Sequence, residues 1–208
     1  MLGMLASAHD DDGTSLSDAQ LLARVNILLV AGHDTTTTLG AWVLHLLTRN
    51  PAYAAKLDAE LSHVLGNGPL TSEGLHRLPL LTAAIREAGR LQSPVLPLPR
   101  GVVSDFEFGG RFVEAGTNLF VAIAAGHRLA SVFKEPNRFD PHRFLPPREE
   151  DRCSPYALAT CGGGPRICLC INFAQAEVMA LTAHVRRHFE LRPVSDQPVA
   201  QFGGILPT

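Results

Sequence analysis

The chain has 208 residues and a formal charge of −2, with 46% apolar and 18% charged residues. On a prior of roughly 150 residues per domain this is one large domain or two small ones with ample material for a core, which excludes the disordered and collagen-like classes. Its 18 Lys and Arg residues form no run or stripe, so composition argues against a nucleic-acid partner, and the apolar stretch 25–31 is interrupted by Asn26 and falls far short of the roughly 20 residues that span a bilayer.

The first residues lack a basic region and turn acidic at 10–12, which is not the pattern of a signal peptide. At Ser17 the sequence Ser-Asp-Ala-Gln has the form of a capping box ahead of an apolar run. The helix it opens is predicted to extend over 17–50, because Pro51 pushes the residue before it out of helical geometry. Leu39, Trp42, Val43, Leu46 and Leu47 place an apolar stripe on the C-terminal half of that helix. Its centre is weak: Gly32 costs about 1 kcal/mol against alanine, and Thr35, Thr36, Thr37 and Thr38 are β-branched.

Asn50-Pro51 reads as an N-cap followed by proline at the first helical position, opening a helix that stops at Gly66. Pro79 opens another helix over 79–93. A small β region is predicted over 98–122, with Gly109-Gly110 as a two-residue hairpin turn between alternating segments. Residues 119–125 start as strand and continue into a short helix. A proline-punctuated irregular stretch follows over 133–150, then a glycine loop over 161–170 and a last long helix over 171–188. No internal repeat or linker breaks the chain. The fold class is mainly α with a minor β region, in a single unit.

Four cysteines, at 153, 161, 168 and 170, crowd into one segment of a chain otherwise free of them. Such clustering points to one local site in a reducing compartment rather than a disulfide framework. Zinc is the competing reading, but the spacing contains no C-x2-C pair, and His142 is the nearest histidine on the N-terminal side. His33, His45 and His127 are dispersed and read as surface or packed residues. In the loop itself, glycines at 162, 163 and 164 allow the backbone close to a bulky partner. Cys168 sits just ahead of a helix N-terminus, where the dipole and orphan N–H groups favour an anion, and Arg166 adds a positive charge. An inert buried cysteine after a glycine turn is the other reading of the same residues.

The loop resembles the haem-ligand signature F-x-x-G-x-R-x-C-x-G of the cytochromes P450, the haem-thiolate monooxygenases, with Gly164, Arg166 and Cys168 in register and Phe173-Ala174 following. Three more family motifs occur in order: Ala-Gly-His-Asp-Thr-Thr at 31–36, Glu87-x-x-Arg90, and F-x-x-P-x-x-F-x-P-x-R-F over 133–144. The resemblance covers nearly the whole chain and corresponds to the C-terminal half of the family fold, from the oxygen-activation helix to the haem-ligand helix. It implies haem b (iron protoporphyrin IX) as cofactor, with Cys168 as axial thiolate ligand to iron, Arg166 and Arg100 on the propionates, and Gly32 and Gly164 giving room to the macrocycle. It implies Asp34 and Thr35 as the acid–alcohol pair that delivers protons, beside a local opening of the long helix. It also implies a structural network of Glu87, Arg90 and Arg143. Arg100 has a second reading as a solvated strand-edge cation, and the pair Asp34 and Thr35 as a helix-face acid and a back-bonding threonine.

By the same resemblance the reaction inserts one oxygen atom from O2 into a small organic substrate, with electrons from a ferredoxin- or flavin-type donor. Leu28, Leu29 and residues 95–98 are candidates to line an apolar substrate pocket. The expected location is cytoplasmic, although a membrane anchor would belong to the family's N-terminal half, which has no counterpart in these residues. A final hairpin is expected where the chain stops, at 203–208. Two positions depart from the pattern: Cys161 replaces an aromatic residue and Cys170 replaces a glycine. The alternative to an active monooxygenase is a truncated, inactive fragment that binds haem weakly or not at all and needs a complementary N-terminal chain.

Overall fold

A computed structural model describes residues 2–9, 12–195, 197 and 199. The segment 203–208, where a final hairpin is expected, lies outside the described residues, as do Asp10 and Asp11 of the acidic stretch. A short helix α1 (Leu2–Ala6) precedes α2 (Asp18–Arg49). The capping box at the start of α2 is present: Gln20 N–H donates to Ser17 Oγ at 3.3 Å, and Ser17 N–H donates to Gln20 Oε1 at 2.9 Å. Helices α3 (Pro51–Leu65) and α5 (Pro79–Leu91) both begin on proline, with a single-turn α4 (Ser72–His76) between them. Asn50 is the N-cap residue of α3, as read above, and its carbonyl accepts from Tyr53 and Ala54 N–H, but its side chain makes no capping bond there. Its Nδ2 donates backwards to Leu46 O at 2.8 Å, so the side chain closes α2 instead. Helix α5 stops at Leu91 rather than 93, because Gln92 leaves helical geometry at φ −132° and ψ 63° and Ser93 Oγ donates to Val95 O.

The core lies where α2, α3, α5 and α7 (Ile171–His188) meet. Val43 and Leu47 of α2 pack with Leu57 and Leu61 of α3, Leu81 and Ala88 of α5, and Val178 and Ala183 of α7. At roughly 1.5–3 kcal/mol for each large aliphatic side chain buried, this cluster is the main stabilising unit. Gly40 marks the closest approach of α2 to α7, since a Cβ there would lie 3.2 Å from Leu181 Cδ2. Glu60 of α3 accepts from the N–H groups of Leu80 and Leu81 at 2.9 and 3.1 Å, satisfying two orphan donors of α5 from another helix. Arg186 of α7 pairs with Asp58 of α3.

The β region comprises two separate antiparallel pairs. Strand β1 (Pro97–Gly101) pairs with β4 (Asn118–Ala122), in the register Pro97 to Ala122. Strands β2 (Phe106–Phe108) and β3 (Arg111–Val113) form a hairpin over Gly109 and Gly110, both at positive φ, as a primed two-residue turn requires. A four-residue helix α6 (Ile123–Gly126) leads from β4 into irregular chain with single 3-10 turns at Pro141–Phe144 and Glu150–Arg152. Among the described residues, no helix is long and apolar enough to cross a membrane.

The first half of α2 is unlike the second. Leu22, Ile27, Leu29 and Val30 are all exposed, Ile27 and Val30 by two thirds of their surface. The apolar stripe predicted over 39–47 is the part of α2 that reaches the core: Val43 and Leu47 are buried, and Leu39 and Leu46 pack against the cluster.

Candidate functional site

Glu87 and Arg90 lie one helical step of three apart on α5, so they share a face, and both are fully buried. Arg90 Nε donates to Glu87 Oε2 at 2.7 Å and its NH2 group donates to Oε1 at 2.9 Å. Arg143, from the turn Pro141–Phe144, donates through Nε to Glu87 Oε1 at 3.2 Å. Other donors reach backbone: Arg90 to the carbonyls of His127 and Pro136, and Arg143 to that of Lys134. Both guanidiniums lie over the Phe133 ring, at 5.1 and 5.9 Å. This network ties α5 to the irregular segment. Removing one member of such a buried set leaves a charge uncompensated, at a cost of about 3–5 kcal/mol.

Two further carboxylates belong to the same cluster and escaped the sequence reading. Glu150 pairs with both Arg143 and Arg148, and Asp140 pairs with Arg148. Asp140 lends its own N–H to Glu87 Oε1 at 2.8 Å. The Glu150 carboxyl is held below its ordinary range by its hydrogen bonds to Arg148 and Arg143, which outweigh the opposing effect of burial. No fixed spacing relates these acids to the E-x-x-R step, so sequence carried no signal for them.

His127, read from sequence as a surface or packed residue, is packed, and its link to the loop carried no signal in the sequence. It is 1% exposed and its Nε2 accepts from Ala159 N–H at 2.9 Å, while its carbonyl takes the Arg90 donor. Burial, and then the positive charge of Arg90, push its pKa down to about 4, so the ring is neutral. Nδ1 has no partner among the described residues. Ala159 O in turn accepts from Gly162 N–H at 2.8 Å. One run of hydrogen bonds thus connects the buried arginines to the glycine loop. A close approach reinforces it: a Cβ on Gly89 of α5 would lie 2.9 Å from Thr160 Cγ2.

The loop 161–170 turns on Gly162 and Gly164, at φ +73° and +64°, a region that favours residues without a Cβ. Gly163 is required for another reason, since a Cβ there would sit 2.5 Å from the Tyr156 ring. The loop closes through Cys168 N–H donating to Cys161 O at 2.9 Å and Ile167 N–H to Gly164 O at 3.1 Å. Cys168 is exposed, three positions before the start of α7, and Cys170 is half-buried at the N-cap position of that helix. Cys161 is half-buried too; burial first, and then the adjacent Cys168, push its thiol up to about 11. All four cysteines are free. Arg166 is exposed and has no hydrogen bond or ion pair to another described residue. Arg100 of β1 donates only to the carbonyl of its neighbour Pro99. Leu98 lies against the loop, its Cδ1 3.5 Å from where a Gly162 Cβ would stand, so β1 flanks the loop.

The central turns of α2 were expected to open locally, and they do not: α2 is continuous helix over Asp18–Arg49. Thr35 Oγ1 donates to Ala31 O at 2.6 Å, so the hydroxyl is satisfied within the helix and leaves its hydrogen-bond ladder closed. Asp34 is exposed beside His33, with 4.0 Å between Oδ1 and Nε2. Gly32 faces open space and lines a groove between α2 and α7 of about 580 Å³. Leu28, Leu29, Thr36 and Phe173 line the same groove, whereas residues 95–98 do not. The apolar segments expected to share one pocket are therefore separate, since β1 is held against the glycine loop and not against this groove. Of the predicted site residues, Glu87, Arg90 and Arg143 are brought into direct contact, and Gly164, Arg166 and Cys168 share one loop. Asp34 and Thr35 contact none of these. His45 packs edge-on to Trp42 at 5.4 Å.

The family model described as Cytochrome P450 matches residues 1–205. The chain is 33% identical over 191 residues to a putative cytochrome P450 136 of Mycobacterium tuberculosis, covering 92% of this chain and 39% of that protein. It is 36% identical over 190 residues to cytochrome P450 4V2 of Homo sapiens, covering 90% of this chain and 36% of that one. Among solved structures, a retinoic acid-bound cyanobacterial CYP120A1 superposes with a TM-score of 0.90 at 29% identity, over 94% of this chain and 45% of its own. The haem domain of a cytochrome P450DA mutant gives 0.89 at 30% identity, over 96% and 46%. The chain thus spans less than half the length of these relatives.

Proposed function

The chain belongs to the cytochrome P450 family, and from that membership we propose that it is the haem-ligand portion of a haem-thiolate monooxygenase. The observation that carries this is an exposed thiol, Cys168, fixed by a backbone hydrogen bond in a glycine-built loop at the mouth of α7. Haem b fits the residues present: a soft sulfur donor suits iron, and Arg166 and Arg100, uncommitted to other side chains, suit two propionate carboxylates. When bound, the group supplies O2 chemistry, which a thiolate ligand favours by pushing electron density onto iron.

In this reading Cys168 Sγ holds the iron, and Gly162 and Gly164 keep the loop backbone low enough for a flat ligand to approach. Gly32 keeps the facing surface of α2 free of a side chain. Asp34 and Thr35 hold and move protons: the carboxylate exchanges with solvent, and the hydroxyl, once released from Ala31 O, donates into the site. The buried network around Glu87 and the His127–Ala159 link position the loop without taking part in chemistry. A small organic substrate, O2 and a ferredoxin- or flavin-type electron donor complete the proposal, in a reducing compartment that suits four free thiols.

A second reading, that these 208 residues alone bind haem weakly or not at all, is favoured by the exposure of Cys168, Ile27 and Val30. The reduced, carbon monoxide-bound absorption spectrum separates the two. The long-wavelength Soret band that gives the family its name is expected on haem reconstitution, lost in Cys168→Ser and kept in Cys170→Ser. No haem uptake by the chain establishes the second reading, and a band lost only in Cys170→Ser overturns the ligand assignment.

A further inference from the structure

Cys161 and Cys170 are the polar side chains of the glycine loop to which the proposed function gives no task, and Cys161 is the one joined to the proposed ligand residue by a hydrogen bond across the loop. Cys168 N–H donates to Cys161 O at 2.9 Å, which sets the two residues opposite each other across the loop. A disulfide joins residues whose Cα atoms lie about 4.4–6.8 Å apart, and a backbone bond across the loop holds this pair close. The Cys168 side chain acts on the Cys161 thiol, adding to the upward push of burial, so the two side chains are neighbours. The turn between them is already closed by Gly162 and Gly164 at positive φ. Cys168 is exposed and open to a small oxidant, while Cys161 is half-buried behind it. Among the described residues, neither Cys153 nor Cys170 is hydrogen-bonded to Cys161.

We propose that Cys161 and Cys168 are a disulfide-forming pair, oxidised by a peroxide, and that the bridge withdraws the Cys168 sulfur from metal ligation. With hydrogen peroxide the Cys168 thiol takes up one oxygen to become a sulfenic acid, releasing water. The Cys161 sulfur then attacks the sulfenic sulfur, forming the S–S bond and expelling a second water. Two thiols lose two electrons and two protons in all, and one peroxide is reduced to two waters. A dithiol reductant reverses the bond by exchange. An exposed sulfur paired with a partially sheltered one is the arrangement of an attacked thiol and its resolving thiol. The loss of ligation rests on the reading of Cys168 as the haem ligand; the bond itself does not.

The test uses the 208-residue chain, hydrogen peroxide and tryptic mapping. Trypsin cuts after Arg152, Arg166 and Arg186, which separates Cys153 and Cys161 from Cys168 and Cys170. Oxidation is expected to join peptides 153–166 and 167–186 with loss of two hydrogen atoms, in the wild-type chain and in Cys170→Ser. The joined peptide should be absent from Cys161→Ser, and dithiothreitol should abolish it. No joined peptide, or one that persists in Cys161→Ser, overturns the pair. Added haemin supplies the second readout: uptake should fall at least tenfold in the oxidised chain and recover on reduction. A bridge that forms while uptake stays unchanged overturns the loss of ligation and the role of Cys168 in the proposed function, and leaves the thiol pair standing.

Discussion

Two side chains of the site show how far residue-level chemistry departs from sequence spacing. His127 sits in a sequence of no recognisable motif, yet its ring accepts a backbone N–H beside Arg90, and burial holds it neutral with a pKa near 4. A histidine whose pKa is lower folded than unfolded binds fewer protons in the native state. Its contribution is therefore complete above the unfolded value of about 6.5 and is lost as pH falls from there towards 4. Arg90 and Arg128 are the charges that raise this cost of protonation. Glu60, whose carboxyl is pushed up chiefly by burial, works in the opposite direction, so the comparison must be made with a variant. His127→Gln keeps an acceptor for Ala159 N–H and removes the titration. Urea unfolding of the two chains between pH 7 and pH 5 should show stability falling more steeply in the wild type, by on the order of 2 kcal/mol; parallel slopes would refute the neutral, buried ring. The E-x-x-R pair was legible because two residues on one helix meet at a fixed step. His127, Glu150 and Asp140 were not, because their partners come from elements that only the fold brings near.

At the scale of elements, α2 is two helices in energetic terms. Its first half starts on a complete capping box but presents Leu22, Ile27 and Val30 to solvent, and its second half buries Val43 and Leu47 in the four-helix core. Ser17→Ala removes a cap whose worth is about 1 kcal/mol, and in a half-helix with few tertiary contacts that loss stays local. Hydrogen exchange should quicken over the first turns of α2 while the global unfolding free energy changes by less than about 0.5 kcal/mol. Leu47→Ala should instead cost the whole molecule about 2–5 kcal/mol, read as a shift of the urea midpoint. Equal effects of the two substitutions would mean that the first half of α2 is packed as tightly as the second. Both the cap and the stripe over 39–47 were readable from local pattern. The task of the Asn50 side chain, which binds Leu46 O while the backbone of Asn50 opens α3, was not, because one asparagine between two helices can serve either end. The same limit applies to Glu60, whose service to the start of α5 links positions 20 residues apart.

On the scale of the whole molecule, the exposed apolar residues of α2 do not stand alone. Phe173 of α7 and Ile167 and Leu169 of the glycine loop are exposed as well, Leu169 by 90% of its surface. The core cluster that α2, α3, α5 and α7 share contains none of these residues. Length and composition had promised a core, and one exists, but they could not say that the candidate ligand loop would lie outside it. The chain spans less than half the length of the relatives named above, and this apolar surface is open in it. Exposed apolar area of this kind drives association in water. The 208-residue chain should therefore self-associate with rising concentration, and Ile27→Glu with Val30→Glu should suppress this. Because both side chains face solvent, the double variant should keep its thermal midpoint within a few degrees, so sedimentation velocity and thermal unfolding together make the check. Suppressed association with an unchanged midpoint identifies this half of α2 as surface awaiting cover. A large fall in the midpoint would mean instead that Ile27 and Val30 already support the fold of the chain, and that the open surface ends elsewhere.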